Sequence, residues 1–140
     1  MIGKMFLQKA LFVLLLVIGL TGCSGNTGEQ GQKVQYRNVS LDTFTEMIAA
    51  KDFVLVNTHI PYEGEIPGTD LLIPFNDVDS YIDRLPADKT ASIVVYCKAG
   101  PMGDVAADRL IDLGYTNVMH FKAGMNGWEK AGKKLHYRSP

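Results

Sequence analysis

Ser92-Ile93-Val94-Val95-Tyr96-Cys97-Lys98-Ala99-Gly100-Pro101-Met102-Gly103 is a β-favouring apolar run that breaks into a loop bracketed by glycines. A continuous apolar run of strand length is expected in a parallel sheet covered on both faces. Beyond the loop an amphipathic stretch begins near Asp104, with Ala106, Leu110 and Leu113 on its buried side and Gly114 at C′. Strand, short loop and helix place Cys97 where backbone N–H groups and the helix dipole favour negative charge. The thiolate is the nucleophilic form of a cysteine, and surroundings of this kind lower a thiol pKa from about 8.5 to roughly 3.5–7.5. The placement marks Cys97 as a chemical group.

Outward from this unit the same alternation repeats. Residues 34–39 read as a first strand, and Ser40 caps a helix carrying Leu41, Phe44, Met47 and Ile48 on one face. Phe53-Val54-Leu55-Val56 is a second buried strand, followed by a long connection over residues 57–69 and a short strand Leu71-Leu72-Ile73. Asp77 opens a helix in which Val78, Tyr81, Ile82 and Leu85 keep helical spacing, and Pro86 stops it. Residues 117–121 are a strand, and residues 125–131 a last helix ending at Gly132. The pattern predicts an α/β fold with a small parallel sheet flanked by helices on both faces. Sites in such sheets lie beyond the C-terminal strand ends, where Cys97 and the 57–69 connection both fall.

The N-terminal 22 residues read as an export signal. Lys4 and Lys9 precede an apolar run over residues 10–20, shorter than the about 20 residues that span a bilayer. Leu20-Thr21-Gly22-Cys23 resembles a bacterial lipobox, which implies cleavage before Cys23 and its lipidation; an uncleaved anchor is the other reading. Residues 1–22 are then a lipoprotein signal peptide, 23–33 a lipidated cysteine with a polar, glycine-rich tether, and 34–140 the folded domain. The expected location is extracytoplasmic, held to a bacterial membrane through lipid on Cys23. Without Lys4 and Lys9, 12 basic residues face 15 acidic ones, a net charge of −3. No basic stripe exists, which excludes a nucleic-acid partner. With Cys23 taken by lipid, Cys97 has no disulfide partner within the chain.

Five pieces in register then match a family. Val54-Leu55-Val56-Asn57, Gly64-Glu65-Ile66-Pro67-Gly68-Thr69, Val94-Val95-Tyr96-Cys97 with its loop, Leu113-Gly114-Tyr115-Thr116-Asn117-Val118 and Gly124-Met125-Asn126-Gly127-Trp128 resemble a single rhodanese domain over about residues 34–137. The resemblance implies a sulfurtransferase in which Cys97 carries a persulfide. It would take sulfur from a small donor such as thiosulfate and pass it to a thiol or cyanide. Lys98, Ala99, Gly100, Pro101, Met102 and Gly103 would form the substrate-binding loop of a monomer that needs no cofactor or metal. Many rhodaneses carry Arg where this chain has Met102, Asp-x-Arg where it has Asn57-Thr58-His59, and His where it has Glu65. Pro101 removes one loop N–H. Rhodanese-fold phosphatases place Arg where Gly103 stands, and that clamp is missing. His59, Glu63 and Glu65 are candidate rim residues of the same mouth. Met102, Met119 and Met125 beside Cys97 have no metal-ligand spacing. The competing reading is a non-catalytic module that binds a partner or senses redox state through Cys97.

Overall fold

The structure is a computed structural model that describes residues 34–139; the stretches read as signal peptide, lipidated Cys23 and tether lie outside the described residues. The expected sheet is present. β1 (Arg37–Asn38), β2 (Val54–Asn57), β3 (Leu71–Leu72), β4 (Ile93–Tyr96) and β5 (Val118–His120) form one sheet in the order β1-β5-β4-β2-β3. All pairings are parallel, with Val54 opposite Ile93 and Asn57 opposite Tyr96 across β2 and β4, and Ile93 opposite Val118 across β4 and β5.

β4 is central because each of its side chains is buried, and strand periodicity divides them between two cores. Ile93 and Val95 join Val56, Ala106, Leu110, Tyr115 and Val118 on one face. That face is covered by α2 (Pro101–Asp112) and a 3-10 segment, Val78–Arg84. Val94 and Tyr96 join Leu55, Phe44, Phe121, Met125 and Trp128 on the other, under α1 (Leu41–Ala49) and α3 (Gly124–Lys130). There Phe44 stacks on Phe121 at 4.2 Å, and Trp128 meets Phe44 edge-on at 6.0 Å.

Helix ends follow the sequence chemistry. Ser40 caps α1 by accepting the Thr43 N–H at 3.1 Å. At the end of α2, Gly114 (φ +90°) donates to the Ile111 carbonyl and Tyr115 donates to that of Leu110, at 2.9 and 3.1 Å. This is a Schellman closure, with Tyr115 and Leu110 sharing a core.

Three expectations change in detail. β1 is two residues long, not six, as an edge strand with a single neighbour. The stretch after Asp77 is a 3-10 helix rather than an α-helix. Asp77 accepts the Ser80 hydroxyl at 2.6 Å instead of capping a backbone N–H, and at seven residues the segment is long for this tighter winding. α2 starts at Pro101, three residues earlier than its amphipathy suggests, because proline suits the first helical turn. Among the described residues, no helix is long and apolar enough to cross a membrane.

Candidate functional site

Cys97 leaves β4 at its C-terminal end, is 1% exposed and forms no disulfide. Neighbouring elements hold its backbone. Thr58, just past β2, donates its N–H and hydroxyl to the Tyr96 carbonyl at 2.8 and 2.9 Å. The first turn of α3 donates Met125 N–H to the Cys97 carbonyl and Asn126 N–H to that of Lys98, both at 3.0 Å. With its carbonyls anchored, the loop turns through Gly100, whose φ of +112° strongly favours glycine. The Gly100 N–H donates to Cys97 Sγ at 3.0 Å. Among the described residues, the N–H groups of Lys98, Ala99, Met102 and Gly103 donate to no protein acceptor, and Pro101 has none to give. Lys98, Ala99 and Pro101 are exposed, Met102 is half-buried, and Gly100 and Gly103 are buried.

Of the three rim candidates, Glu63 meets the loop and His59 reaches it only through Glu63. The Glu63 carboxylate is shared by the Lys98 ammonium and by His59 Nε2, the latter at 3.2 Å. The hydrogen bond from Lys98 is the main reason Glu63 is held below the usual carboxylate range, and the same contact raises Lys98. Asn57 stitches this connection together, accepting the His59 N–H and donating to the Gly64 carbonyl, each at 3.0 Å. Glu65 is placed elsewhere. It is buried, and both its oxygens accept Arg138 Nε at 3.0 and 2.8 Å. Its backbone pairs with His136, which ties the C-terminal segment to the loop.

A second polar cluster lies at the start of α2. Asp104 accepts Tyr36 OH and His120 Nδ1 at 3.0 Å each, and its other oxygen is 3.2 Å from Lys122 Nζ. Burial alone would raise the Asp104 carboxyl, but donors from Tyr36 and Lys122 and the nearby His120 outweigh it and lower the pKa. Burial, then the contact with Asp104, pushes the Tyr36 phenol up to about 12. His120 is fully buried, and burial lowers its pKa despite the opposing pull of Asp104. Its Nε2 has no partner and faces Gly103, where an added Cβ would come within 2.3 Å of it. Lys122 also covers Gly100, its Cγ 3.2 Å from where a Cβ would stand. Of this cluster the sequence marked only Asp104, as the start of a helix; Tyr36, His120 and Lys122 come from other parts of the chain, and no local pattern identifies them.

The buried imidazole carries a stability prediction. With its folded pKa below the unfolded 6.5, the unfolded chain binds more protons as pH falls through that region. This contribution is fully present above about pH 6.5 and declines below it, until the folded imidazole itself protonates. Urea midpoints measured from about pH 7.5 to 5.5 should fall, and His120→Gln should flatten that slope. An unchanged slope in the variant would assign the loss to other groups.

Comparison with known proteins fits this geometry. A rhodanese-like domain model matches residues 40–131. A sulfurtransferase of Allochromatium vinosum is 28% identical over 85 residues, 59% of this chain and 77% of the relative. Among solved structures, the Bacillus anthracis CoADR-RHD matches with a TM-score of 0.62 and 23% identity over 73% of this chain. A thiosulfate sulfurtransferase from Pseudomonas aeruginosa matches with a TM-score of 0.64 and 20% identity over 74% of this chain. The match spans 18% and 21% of those two longer chains. The human single-domain sulfurtransferase TSTD1 matches with a TM-score of 0.57 and 25% identity, over 66% of this chain and 95% of that one. With its five-stranded parallel sheet and a cysteine loop feeding a helix, the chain belongs to the rhodanese-like domain family.

Proposed function

We propose that this protein is a sulfurtransferase in which Cys97 carries a persulfide, on a domain tethered to a bacterial membrane through lipid on Cys23. The observation that carries the chemistry is the Gly100 N–H aimed at Cys97 Sγ at 3.0 Å, in a loop whose other N–H groups lack protein acceptors. Donors so placed hold electron density on the sulfur and on a second sulfur attached to it. The thiolate attacks the outer sulfur of the donor, and the donor's S–S bond breaks with its electron pair leaving on the departing group. From thiosulfate this gives the Cys97 persulfide anion and sulfite; from a thiol persulfide it gives the Cys97 persulfide and a thiolate. An acceptor thiolate or cyanide then takes the outer sulfur and returns Cys97. Splitting one displacement into two is ordinary nucleophilic catalysis.

The test is intact mass after exposure to thiosulfate or polysulfide and removal of excess donor. The expected result is a gain of one sulfur atom, removed again by cyanide. A protein that gains no sulfur from any donor supports the second reading, a binding or redox-sensing module, for which the burial of Cys97 speaks.

Met102 decides donor charge. It stands in the second position of α2, half-buried, and offers no cation to a dianionic donor. Met102→Arg is expected to raise kcat/KM for thiosulfate about thirtyfold, the worth of one added charge about 4 Å from a dianion in water-like surroundings. An unchanged value would show that charge at this position does not limit donor use.

A further inference from the structure

A cleft of about 240 Å3 opens beside the cysteine loop, lined by Glu63, Lys98, Met125, Glu129, Leu135 and Tyr137. Its position connects it to the chemistry. Lys98 follows Cys97 directly, and Met125 donates the N–H that fixes the Cys97 carbonyl. The floor is apolar through Met125 and Leu135, while the charged lining is two carboxylates against one ammonium. That ammonium is already engaged, because Lys98 is paired with Glu63. Glu129 forms no ion pair among the described residues. Across the loop the other nearby cation, Lys122, is likewise paired, with Asp104. The Lys98 ammonium faces Glu129 as well as Glu63, and the three charges lining the cleft leave it a net charge of −1.

We infer that this cleft binds the sulfur acceptor, and that its charge selects a small thiol bearing an ammonium group over neutral or anionic thiols. This rests on the sulfurtransferase reading. The aliphatic part of an aminothiol lies on Met125 and Leu135, its ammonium faces Glu129, and its sulfur is turned toward the loop. The acceptor thiolate attacks the outer sulfur of the Cys97 persulfide. A new S–S bond forms, the bond to Cys97 breaks, and its electron pair stays on the Cys97 sulfur. The proton of the persulfide leaves with the transferred sulfur, so nothing is oxidised or reduced overall. Glu63 acts as a specificity residue in the same step, because it cancels the charge by which Lys98 would hold an anionic acceptor.

The experiment loads the full-length protein with inorganic polysulfide, removes the excess, and follows loss of the persulfide to cysteamine, 2-mercaptoethanol and 3-mercaptopropionate. Intrinsic thiol reactivity cancels when the ratios of rates are compared between protein variants. Glu129→Gln is expected to lower the cysteamine-to-mercaptoethanol ratio about fivefold at low salt. Glu63→Gln should raise the mercaptopropionate-to-mercaptoethanol ratio by a similar factor. Asp52→Asn, an exposed charge before β2, should leave both ratios in place. Unchanged ratios in both cleft variants, or an equal change in Asp52→Asn, would overturn the cleft assignment while leaving sulfur transfer intact. Failure to load at all would overturn the sulfurtransferase reading instead.

Discussion

Gly124→Ala is expected to lower the unfolding free energy by about 3 kcal/mol and to disable sulfur loading in whatever fraction remains folded. Gly124 opens α3 with φ +58° and is buried against the back of the cysteine loop. A Cβ there would stand 2.2 Å from the Cys97 carbonyl oxygen and 2.8 Å from that of Lys98. Both obstacles are backbone atoms, which cannot rotate aside as a side chain can. Relief requires α3 and the loop to separate, and this breaks the two hydrogen bonds from Met125 and Asn126 that hold the loop. Gly132→Ala is the control. Its φ of +75° carries the same kind of backbone strain, but an added Cβ meets nothing within 4 Å. It should cost only about 1 kcal/mol, the strain without the collision. Thermal melts of the two variants separate the effects, with Gly124→Ala falling by roughly 10–20 °C and Gly132→Ala by a few degrees. Equal shifts would mean that the close approach of α3 to the loop is not tight.

Cys97→Ser is expected to abolish sulfur loading while leaving the fold in place. An oxygen nucleophile at this position gives no persulfide, so transfer should fall to the rate of the donor and acceptor alone. The hydroxyl still accepts the Gly100 N–H, and the smaller atom leaves little empty space, so stability should stay within about 1 kcal/mol of the parent. Intact mass after polysulfide treatment and a melt of the same sample give both readouts. A Cys97→Ser variant that still gains sulfur would place the carrier elsewhere. A variant that unfolds would show that the thiol is chiefly a packing residue.

The fold was legible in the sequence wherever one signal dominated. β2 and β4 are unbroken apolar runs, and burial on both faces of the sheet is what such runs require. The alternation that divides Val94 and Tyr96 from Ile93 and Val95 needed only period-two geometry. Boundaries were less legible. The start of α2 is set by Gly100 and Pro101, local signals that amphipathy does not report, because neither Pro101 nor Met102 is among the helix's buried residues. The segment after Asp77 has apolar spacing compatible with either helix type at seven residues.

The candidate site divides along the same line. Cys97 and its loop are contiguous and therefore readable. The contacts of Glu65 with Arg138, and of Asp104 with Tyr36, His120 and Lys122, join residues 16 to 73 positions apart. Polar partners at such separation leave no period or motif. The Lys98–Glu63 pair is of this kind too, and it changes what Lys98 does, since a lysine next to the cysteine would otherwise read as an anion holder.

The parallel arrangement also gives the domain two unlike poles. Cys97 lies beyond the C-terminal end of β4, while the chain enters at Val34 beside Asp112, at the far end of α2. α2 runs back from the loop along the sheet for 12 residues, about 18 Å at helical rise. Val34 and Asp112, both exposed, mark the pole away from the cysteine, so a bulky label attached at either is carried clear of the loop.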